Sequence, residues 1–207
     1  MMTAGPDRRK VRHEARRAEI LAQAWLLAHR DGLAAISLRD LADSVGLRQP
    51  SLYVYFESKL NLYDALFADG YRQLLDFVAK RSYAGDPRRA LARFLGDLVQ
   101  FSSDDIVRHQ MLFQRTIPGF EPSAGAFALA LEFYDVARQM LAAAGVTDQR
   151  NIDIFSALAN GLAHQQVANE PGGKRWVRLA SQVTEMFLTD IDRRHTTSPV
   201  AKGSRRS

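Results

Sequence analysis

Residues 37–59, SLRDLADSVGLRQPSLYVYFESK, predict two short helices joined by a tight turn. Ser37 is a preferred N-cap residue, and the apolar residues after it, including Leu41, recur at helical spacing. Gly46 supplies the positive φ that ends a helix. Pro50 suits the first turn of the next helix, where its missing N–H costs no hydrogen bond. The stretch therefore predicts a helix-turn-helix.

The second helix of this pair is expected to have a buried side and a free side. Leu52 and Phe56 are four residues apart and point inward together. The side chains left to point away from the core are Gln49, Ser51, Tyr53, Val54 and Tyr55. Ser58 can cap a further helix, and Lys59 in the first turn of that helix opposes its dipole. We therefore expect Lys59 to meet an external anion such as a phosphate.

These residues resemble the helix-turn-helix of the TetR family of bacterial regulators. The resemblance covers residues 16–67 and rests on Val45–Leu47, on Ser51–Lys59 and on the amphipathic helix before them. The run Gln49–Tyr53 is similar to that of tetracycline repressors. One departure is Tyr55, where the family often has histidine, although a tyrosine hydroxyl can still donate to a phosphate.

Helical periodicity continues along the whole chain, and no segment has the alternating pattern of a strand. The helices flanking the pair are expected near 14–31, 58–81, 86–101, 105–115, 123–144, 149–169 and 174–193. Ser102–Asp104 is expected to break one of them, and Trp25 is expected in the core of the DNA-binding bundle. The fold class is therefore all-α, with about nine helices.

The resemblance implies an N-terminal three-helix DNA-binding domain followed by a C-terminal helical ligand-binding and dimerisation domain. The expected segments are a basic arm at 1–13, the helix-turn-helix domain at 14–60, the effector-binding and dimerisation domain at 61–193 and a basic disordered tail at 194–207.

Positive charge is concentrated at the two ends of the chain. Residues 1–17 carry six Arg and Lys against two acids, and residues 193–207 carry five against none. The C-terminal group favours a solvated or disordered tail. The N-terminal group leads into the first helix, so it is either a solvated arm or an arm that follows phosphates or reaches a minor groove.

Composition and motifs argue against several other classes of protein. The chain has no cysteine, which excludes disulfides, zinc–thiolate sites and thiol catalysis. No apolar run approaches the roughly 18 residues of a membrane span, and no signal peptide follows the basic N-terminus. HExxH, GxSxG, Walker A and GxGxxG motifs are missing, and the five histidines lack metal-ligand spacing. We expect a cytoplasmic protein that is not an enzyme, with no cofactor, no metal and no membrane partner.

The side chains around the turn suggest how DNA would be read. Gln49 can make a bidentate contact to adenine, and Pro50 can pack on a thymine methyl group. Arg48 can read guanine or hold a phosphate. Hydroxyl and ammonium contacts position the protein on the DNA backbone. The remaining expected DNA-binding residues are Ser37, Ser51, Tyr53, Tyr55 and Lys59, with core packing as the alternative for Tyr53.

The second domain is the expected sensor of a small molecule. Its candidate pocket residues are Phe101, His109, Met111, Phe113, Phe127, Tyr134, Phe155 and His164, with Phe133, Met140 and Gln114 as further candidates. The alternative for each aromatic residue is ordinary core packing. The aromatic content favours an apolar or planar effector, and the resemblance implies that such an effector tilts the fourth helix.

The last two long helices are candidates for a dimer interface. Small residues in the first let helix backbones approach closely, and the second carries a broad apolar stripe. The expected interface residues are Ala157, Gly161, Gln165, Trp176, Val183 and Phe187, with an ordinary core as the alternative. The resemblance implies a two-fold dimer, which would place two recognition helices a whole number of DNA turns apart.

The sequence thus favours a dimeric, sequence-specific transcriptional regulator, a repressor that a small-molecule effector releases from a palindromic operator. The alternative is a helical small-molecule-binding or interaction module without sequence-specific DNA binding. The intact segment Gln49–Lys59 argues for the regulator.

Overall fold

The computed structural model describes residues 8–197, and within them the chain forms nine α-helices, one short 3-10 turn and no strand. The helices are α1 Arg8–Asp31, α2 Leu38–Ser44, α3 Gln49–Leu52, α4 Lys59–Ala79, α5 Pro87–Asp104, α6 Ile106–Phe113, α7 Ala124–Ala143, α8 Gln149–Asn169 and α9 Ala180–Thr197. The 3-10 turn, Val177–Leu179, precedes α9. The predicted all-α fold class is confirmed. Among the described residues, no helix has the length and apolar character needed to cross a bilayer.

The chain divides into two compact units, each built from two separate segments. The first unit contains the residues up to Phe77 and Asp105–Asp135. The second unit contains Val78–Asp104 and the residues from Val136 onward.

This division differs from the boundary predicted at residue 60. The physical reason is α4, which continues unbroken through that residue and packs with later segments of its own unit. Both carboxylate oxygens of Asp64 on α4 accept hydrogen bonds from Ser123, from its backbone N–H at 2.6 Å and from its hydroxyl at 2.8 Å. The start of α7 is thereby joined to the unit that contains the helix-turn-helix.

The core of the helix-turn-helix forms as the periodicity predicts. The Ser37 side chain caps α2 by accepting from the Asp40 N–H at 3.3 Å, and Gly46 has a φ of 65°. Trp25 is buried, and its Nε1–H donates to Asp69 at 2.8 Å. The other buried side chains of α1 to α3 and the turn that follows include Ile20, Leu21, Ala24, Leu41, Ala42, Leu52 and Phe56.

The bounds predicted for the N-terminal arm and for the C-terminal tail both differ from those in the structure. α1 starts at Arg8, so residues 8–13 are helical rather than part of an arm. Arginine and lysine favour helix in this stretch, and Arg12 Nε donates to the Arg8 carbonyl one turn earlier. α9 likewise includes residues 194–197, where an Arg194–Asp190 ion pair of 2.9 Å spans one turn. The rest of the predicted arm and tail, residues 1–7 and 198–207, lies outside the described residues.

Two further predicted bounds are wrong. Ser102 and Ser103 do not break α5 but lie within it, with only 2% and 4% of their surface exposed. The periodicity predicts that the last helix starts at residue 174, but α9 begins at Ala180. The buried Gln166 side chain accepts from the Trp176 N–H at 2.8 Å, which holds the chain in a turn before the helix starts.

α5 is the central helix of the second unit and packs against α8 and α9. Its fully buried side chains are Leu91, Phe94, Leu95 and Val99. Gly96 of α5 faces Ala180 at the start of α9, and a Cβ placed at Gly96 would make an ordinary van der Waals contact of 3.6 Å with the Ala180 Cβ. Phe155 of α8 and Phe187 of α9 pack with ring centres 5.3 Å apart. Burial of these apolar groups is the main source of stability in this unit.

The start of α8 should make the stability of this unit sensitive to acid. Asp148 caps α8, and the pKa of its carboxyl is lowered mainly by the Asn151 backbone N–H, 3.0 Å away. The ionised form is favoured in the fold, so its stabilisation is present above the ordinary pKa near 3.8 and is lost as pH falls below it. The Asp148→Asn variant keeps the cap but cannot ionise. We therefore expect its unfolding free energy to fall less steeply than that of the wild type as pH is lowered below about 4. Urea titrations in which the variant and the wild type lose unfolding free energy equally at low pH would contradict this expectation.

Candidate nucleic-acid interface and pocket

The short helix α3 is held by its inner side and open on its outer side. Leu52 and Phe56 are 1% and 2% exposed, whereas Tyr53 and Val54 are 45% and 70% exposed. After α3 the chain continues in hydrogen-bonded turns. In one of them the Phe56 N–H donates to the Leu52 carbonyl at 3.0 Å. The outward residues Arg48, Gln49, Pro50 and Ser51 are all exposed. Four predicted DNA-contacting side chains therefore lie together on a free surface.

The N-terminal half of α1 packs directly against this element. His13 stacks on Tyr55 with ring centres 4.8 Å apart and planes 21° apart. Arg16 donates to the Val45 carbonyl, and the Arg17 guanidinium lies 4.8 Å from the centre of the Phe56 ring. Sequence reasoning missed these contacts because it placed His13 in an arm. Tyr55 is half-buried as a result, so its ring is partly engaged within the unit.

Lys59 and Ser37 already have partners inside the protein. Lys59 Nζ donates to the Ala34 carbonyl at 3.0 Å and lies 5.6 Å from the Tyr63 ring centre. An ammonium group has three hydrogens and this carbonyl uses one, so the phosphate contact predicted for Lys59 stays a prediction. Ser37 is half-buried, and its oxygen serves as the α2 cap.

The first turns of α1 carry exposed cations. Its first turn contains no acidic residue, and Arg8, Arg9, Lys10 and Arg12 are exposed there. Cations at the N-terminus of a helix oppose the helix dipole. Their charge is suited to an anionic partner such as a phosphate backbone.

The first unit also contains a cavity of about 490 Å³, here called the α6 pocket. Its lining residues are Phe67, Tyr71, Met111, Leu112, Phe113, Gln114, Arg115, Ile117, Phe120, Glu121, Pro122, Ala124 and Phe127. The walls are largely aromatic and aliphatic, whereas Gln114, Arg115 and Glu121 supply the polar groups. A cavity of this size and lining suits a small molecule with an apolar body.

Aromatic contacts make the pocket wall continuous. Tyr71 lies 4.9 Å from Phe67 and 6.2 Å from Phe113, measured between ring centres, and Phe67 lies 6.2 Å from Phe120. Burial raises the pKa of Tyr71 to about 12, so its hydroxyl is a neutral donor near neutral pH. That hydroxyl points to the Leu112 carbonyl, 3.4 Å away.

The predicted pocket residues do not all come together. Met111, Phe113, Phe127 and Gln114 line the α6 pocket. His109 is buried and its ring centre lies 5.5 Å from that of Phe113, behind the wall. The predicted residues outside the lining are His109, the buried Phe101 and Phe155, the half-buried Phe133, Tyr134 and Met140, and the exposed His164. Phe155 instead packs on Phe187, as an ordinary core residue does.

The residues predicted for the dimer interface differ in their exposure. Ala157, Gly161 and Gln165 are exposed on α8, and Trp176 and Val183 are half-buried. Phe187 is 6% exposed and belongs to the core. The most exposed apolar side chain of α9 is Met186, at 64% exposure. No group of three histidine, aspartate or glutamate side chains in the described part of the chain could hold a metal ion.

Part of the chain matches a known protein family. Residues 20–66 match the model described as bacterial regulatory proteins, tetR family. No curated protein matches the sequence significantly. A tetR-family transcriptional regulator from Streptomyces coelicolor is 22% identical, with a TM-score of 0.68 over 88% of this chain and 83% of that chain.

Two further solved structures share the fold. PfmR, a TetR family transcriptional regulator from Thermus thermophilus, is 22% identical, with a TM-score of 0.61 over 82% of this chain and 97% of that chain. RolR, solved in complex with resorcinol, is 14% identical, with a TM-score of 0.61 over 92% of this chain and 97% of that chain. Residues 20–66 are therefore a domain of the tetR family of bacterial regulatory proteins, and the chain around them has the fold of TetR-family transcriptional regulators.

Proposed function

We propose that this protein is a homodimeric, sequence-specific repressor that a small-molecule effector releases from a palindromic operator in the cytoplasm. The observation that carries the proposal is the outer side of α3, where Gln49 and Arg48 are free while Leu52 and Phe56 anchor the element. A side chain that reads base edges must be both exposed and held rigidly by its own element.

The DNA contacts fall into two groups. Gln49 is assigned to an adenine edge, Pro50 to a thymine methyl group, and Arg48 to a guanine edge or a phosphate. Backbone positioning is assigned to Ser37, Ser51, Tyr53, Tyr55 and Lys59. The α1 cations Arg8–Arg12 extend the positively charged surface beyond these contacts. Displacement of counterions by such cations predicts an affinity that falls steeply with salt.

The exposed face of α8 is assigned to the dimer. Ile154, Ala157 and Gly161 recur at intervals of three and four residues and are all exposed, which leaves an apolar strip along one face of the helix. Met186 and Val183 of α9 add apolar surface in the same unit. Small residues in such a strip let two copies pack closely, and a two-fold dimer would pair two copies of α3 with two half-sites.

Dimerisation has a direct mutational test. Ala157→Glu would place a charge in the middle of the proposed apolar interface, where it has no partner. We expect this variant to sediment as a folded monomer at concentrations at which the wild type is a dimer. Thr147→Glu is the matched control, because Thr147 is exposed in the loop before α8 and should leave the dimer intact. A dimeric Ala157→Glu variant would place the interface elsewhere.

The α6 pocket is assigned to the effector, which we describe as a small molecule with an apolar, ring-containing body. RolR, which shares the fold, was solved with the aromatic molecule resorcinol. Anilinonaphthalenesulfonate serves as a fluorescent probe of this assignment. We expect Ala124→Trp, which fills the pocket from its lining, to abolish dye binding, while Ala128→Trp on the same helix should not. Equal dye binding by both variants would remove the pocket from the proposal.

A further inference from the structure

The second compact unit contains a polar cavity that shares no lining residue with the α6 pocket. It has a volume of about 500 Å³ and lies between the start of α5 and the first turns of α9. Its lining carries guanidinium groups, carboxylates and hydroxyls, and no aromatic ring among the described residues. We propose that this cavity, here called the α5–α9 cavity, binds a small zwitterion of the amino-acid class.

The cavity has one positive and one negative side chain that no ion pair uses. Arg89 of α5 and Glu185 of α9 both line it and are both exposed. Within the described part of the chain, neither side chain forms an ion pair. A guanidinium group can bind a carboxylate through two parallel hydrogen bonds, and a carboxylate accepts hydrogen bonds from an ammonium group. The two side chains therefore offer a partner to each end of a zwitterion.

The other charges at this cavity are already held within the protein. Arg88 Nη2 donates to Asp192 Oδ2 at 2.7 Å. The pKa of Arg88 is raised mainly by this hydrogen bond, with smaller contributions from the nearby carboxylates, including Glu185 and Asp86. Asp86 caps α5 by accepting from the Arg89 backbone N–H at 2.9 Å. These contacts leave the Arg89 guanidinium and the Glu185 carboxylate as the groups with capacity for a ligand.

Two buried polar atoms on lining residues have no hydrogen-bond partner among the described residues. They are Thr184 Oγ1 and Arg88 Nε, and Thr184 as a whole is only 1% exposed. Buried polar atoms are nearly always hydrogen-bonded, because an unmade bond costs free energy. Both groups can donate to an oxygen acceptor. Their presence on one cavity favours a ligand with a carboxylate at this end.

The α9 residues of the cavity lie together on one side of their helix. Ser181, Thr184 and Glu185 are spaced at three and four residues, so their side chains are neighbours on the helix surface. Met186, which is assigned to the dimer, is two residues after Thr184 and does not face the same way. A ligand in the α5–α9 cavity would therefore not need the apolar surface assigned to the dimer.

Saturation-transfer NMR on the whole protein, with an equimolar mixture of the common L-amino acids, tests the proposal. We expect saturable binding of at least one of them. The N-acetyl derivative and the amide of that amino acid each lack one charge. Each should bind about tenfold more weakly or worse, as expected for the loss of a charge-assisted hydrogen bond. Equal binding of either derivative, or no binding of any amino acid up to about 10 mM, would overturn the proposal.

Arg89→Met and Glu185→Gln remove the two proposed ligand-binding charges. Both positions are exposed, so both variants should fold, and each should weaken binding by about tenfold or more. Arg150→Met is the matched control, because Arg150 is exposed at the start of α8 and does not line the cavity. Wild-type affinity in both cavity variants would show that the amino acid binds elsewhere.

Two tryptophan substitutions distinguish the two cavities. Ala92 lines the α5–α9 cavity and Ala124 lines the α6 pocket. We expect Ala92→Trp to abolish amino-acid binding and Ala124→Trp to retain it, and the opposite pattern would assign the ligand to the α6 pocket. If Ala92→Trp does not fold, the two charge variants decide. The inference does not depend on the proposed function, because a protein that selects no duplex from a random pool should bind the amino acid equally well.

Discussion

Replacing Gln49 with alanine is expected to lower the preference for the selected duplex over random duplex by about 1–3 kcal/mol, the value of one bidentate base contact. Gln49 is exposed on α3, so its removal leaves no buried group unpaired and should not change the unfolding free energy. Affinity measured on both duplexes at one salt concentration gives the preference directly. Gln149→Ala, an exposed glutamine at the start of α8, is the control and should change neither affinity.

Lys59 provides the contrast that makes this result specific. A phosphate contact carries no base information, so Lys59→Ala should weaken both duplexes alike and reduce the salt slope by about one. Lys59 Nζ also donates to the Ala34 carbonyl, and a urea titration of the variant separates any loss of stability from loss of affinity. Equal losses on selected and random duplex for both Gln49→Ala and Lys59→Ala would contradict the division between base and backbone contacts.

Replacing Phe56 with alanine is expected to have the largest effect on folding of the DNA-reading surface. The Phe56 ring is 2% exposed and anchors the segment after α3, with the Arg17 guanidinium over its face. Truncation of a fully buried phenylalanine costs about 3–5 kcal/mol, because transfer energy is lost and a cavity remains. A urea titration followed by amide exchange in residues 49–56 measures this loss, and DNA binding should decline with it.

The neighbouring Val54 is a matched control for Phe56. Its side chain is 70% exposed, so Val54→Ala should change the unfolding free energy by no more than about 0.5 kcal/mol. Similar losses of stability in Val54→Ala and Phe56→Ala would mean that the inner and outer sides of this element have been assigned wrongly.

The helix-turn-helix could be predicted because its signals are local. The Ser37 cap, the positive φ of Gly46 and the early Pro50 each act within one turn of the chain, and helical spacing separates Leu52 and Phe56 from their outward neighbours. The end of α3 and the start of α1 could not be predicted from such local signals. Short helices give way to turns according to tertiary packing, here that of His13 and Arg17.

The pocket could be predicted only in part because it depends on contacts between distant segments. Periodicity assigns Phe67 to the inward face of α4 and places Phe120 in a loop, yet both line the cavity together with Tyr71 and Met111. Periodicity identifies an apolar face but does not say whether a core, a ligand or another copy of the chain covers it. The same ambiguity put Phe187, which is buried within its own unit, in the predicted interface.

Selection of preferred duplexes from a random pool, with the protein at moderate salt, is the decisive test of sequence-specific DNA binding. We expect a palindromic consensus with two half-sites separated by a whole number of helical turns, and loss of that enrichment in Gln49→Ala. The absence of any enriched sequence, from a protein verified to be folded and dimeric, would contradict sequence-specific binding. The helical small-molecule-binding or interaction module would then be the better description of this chain.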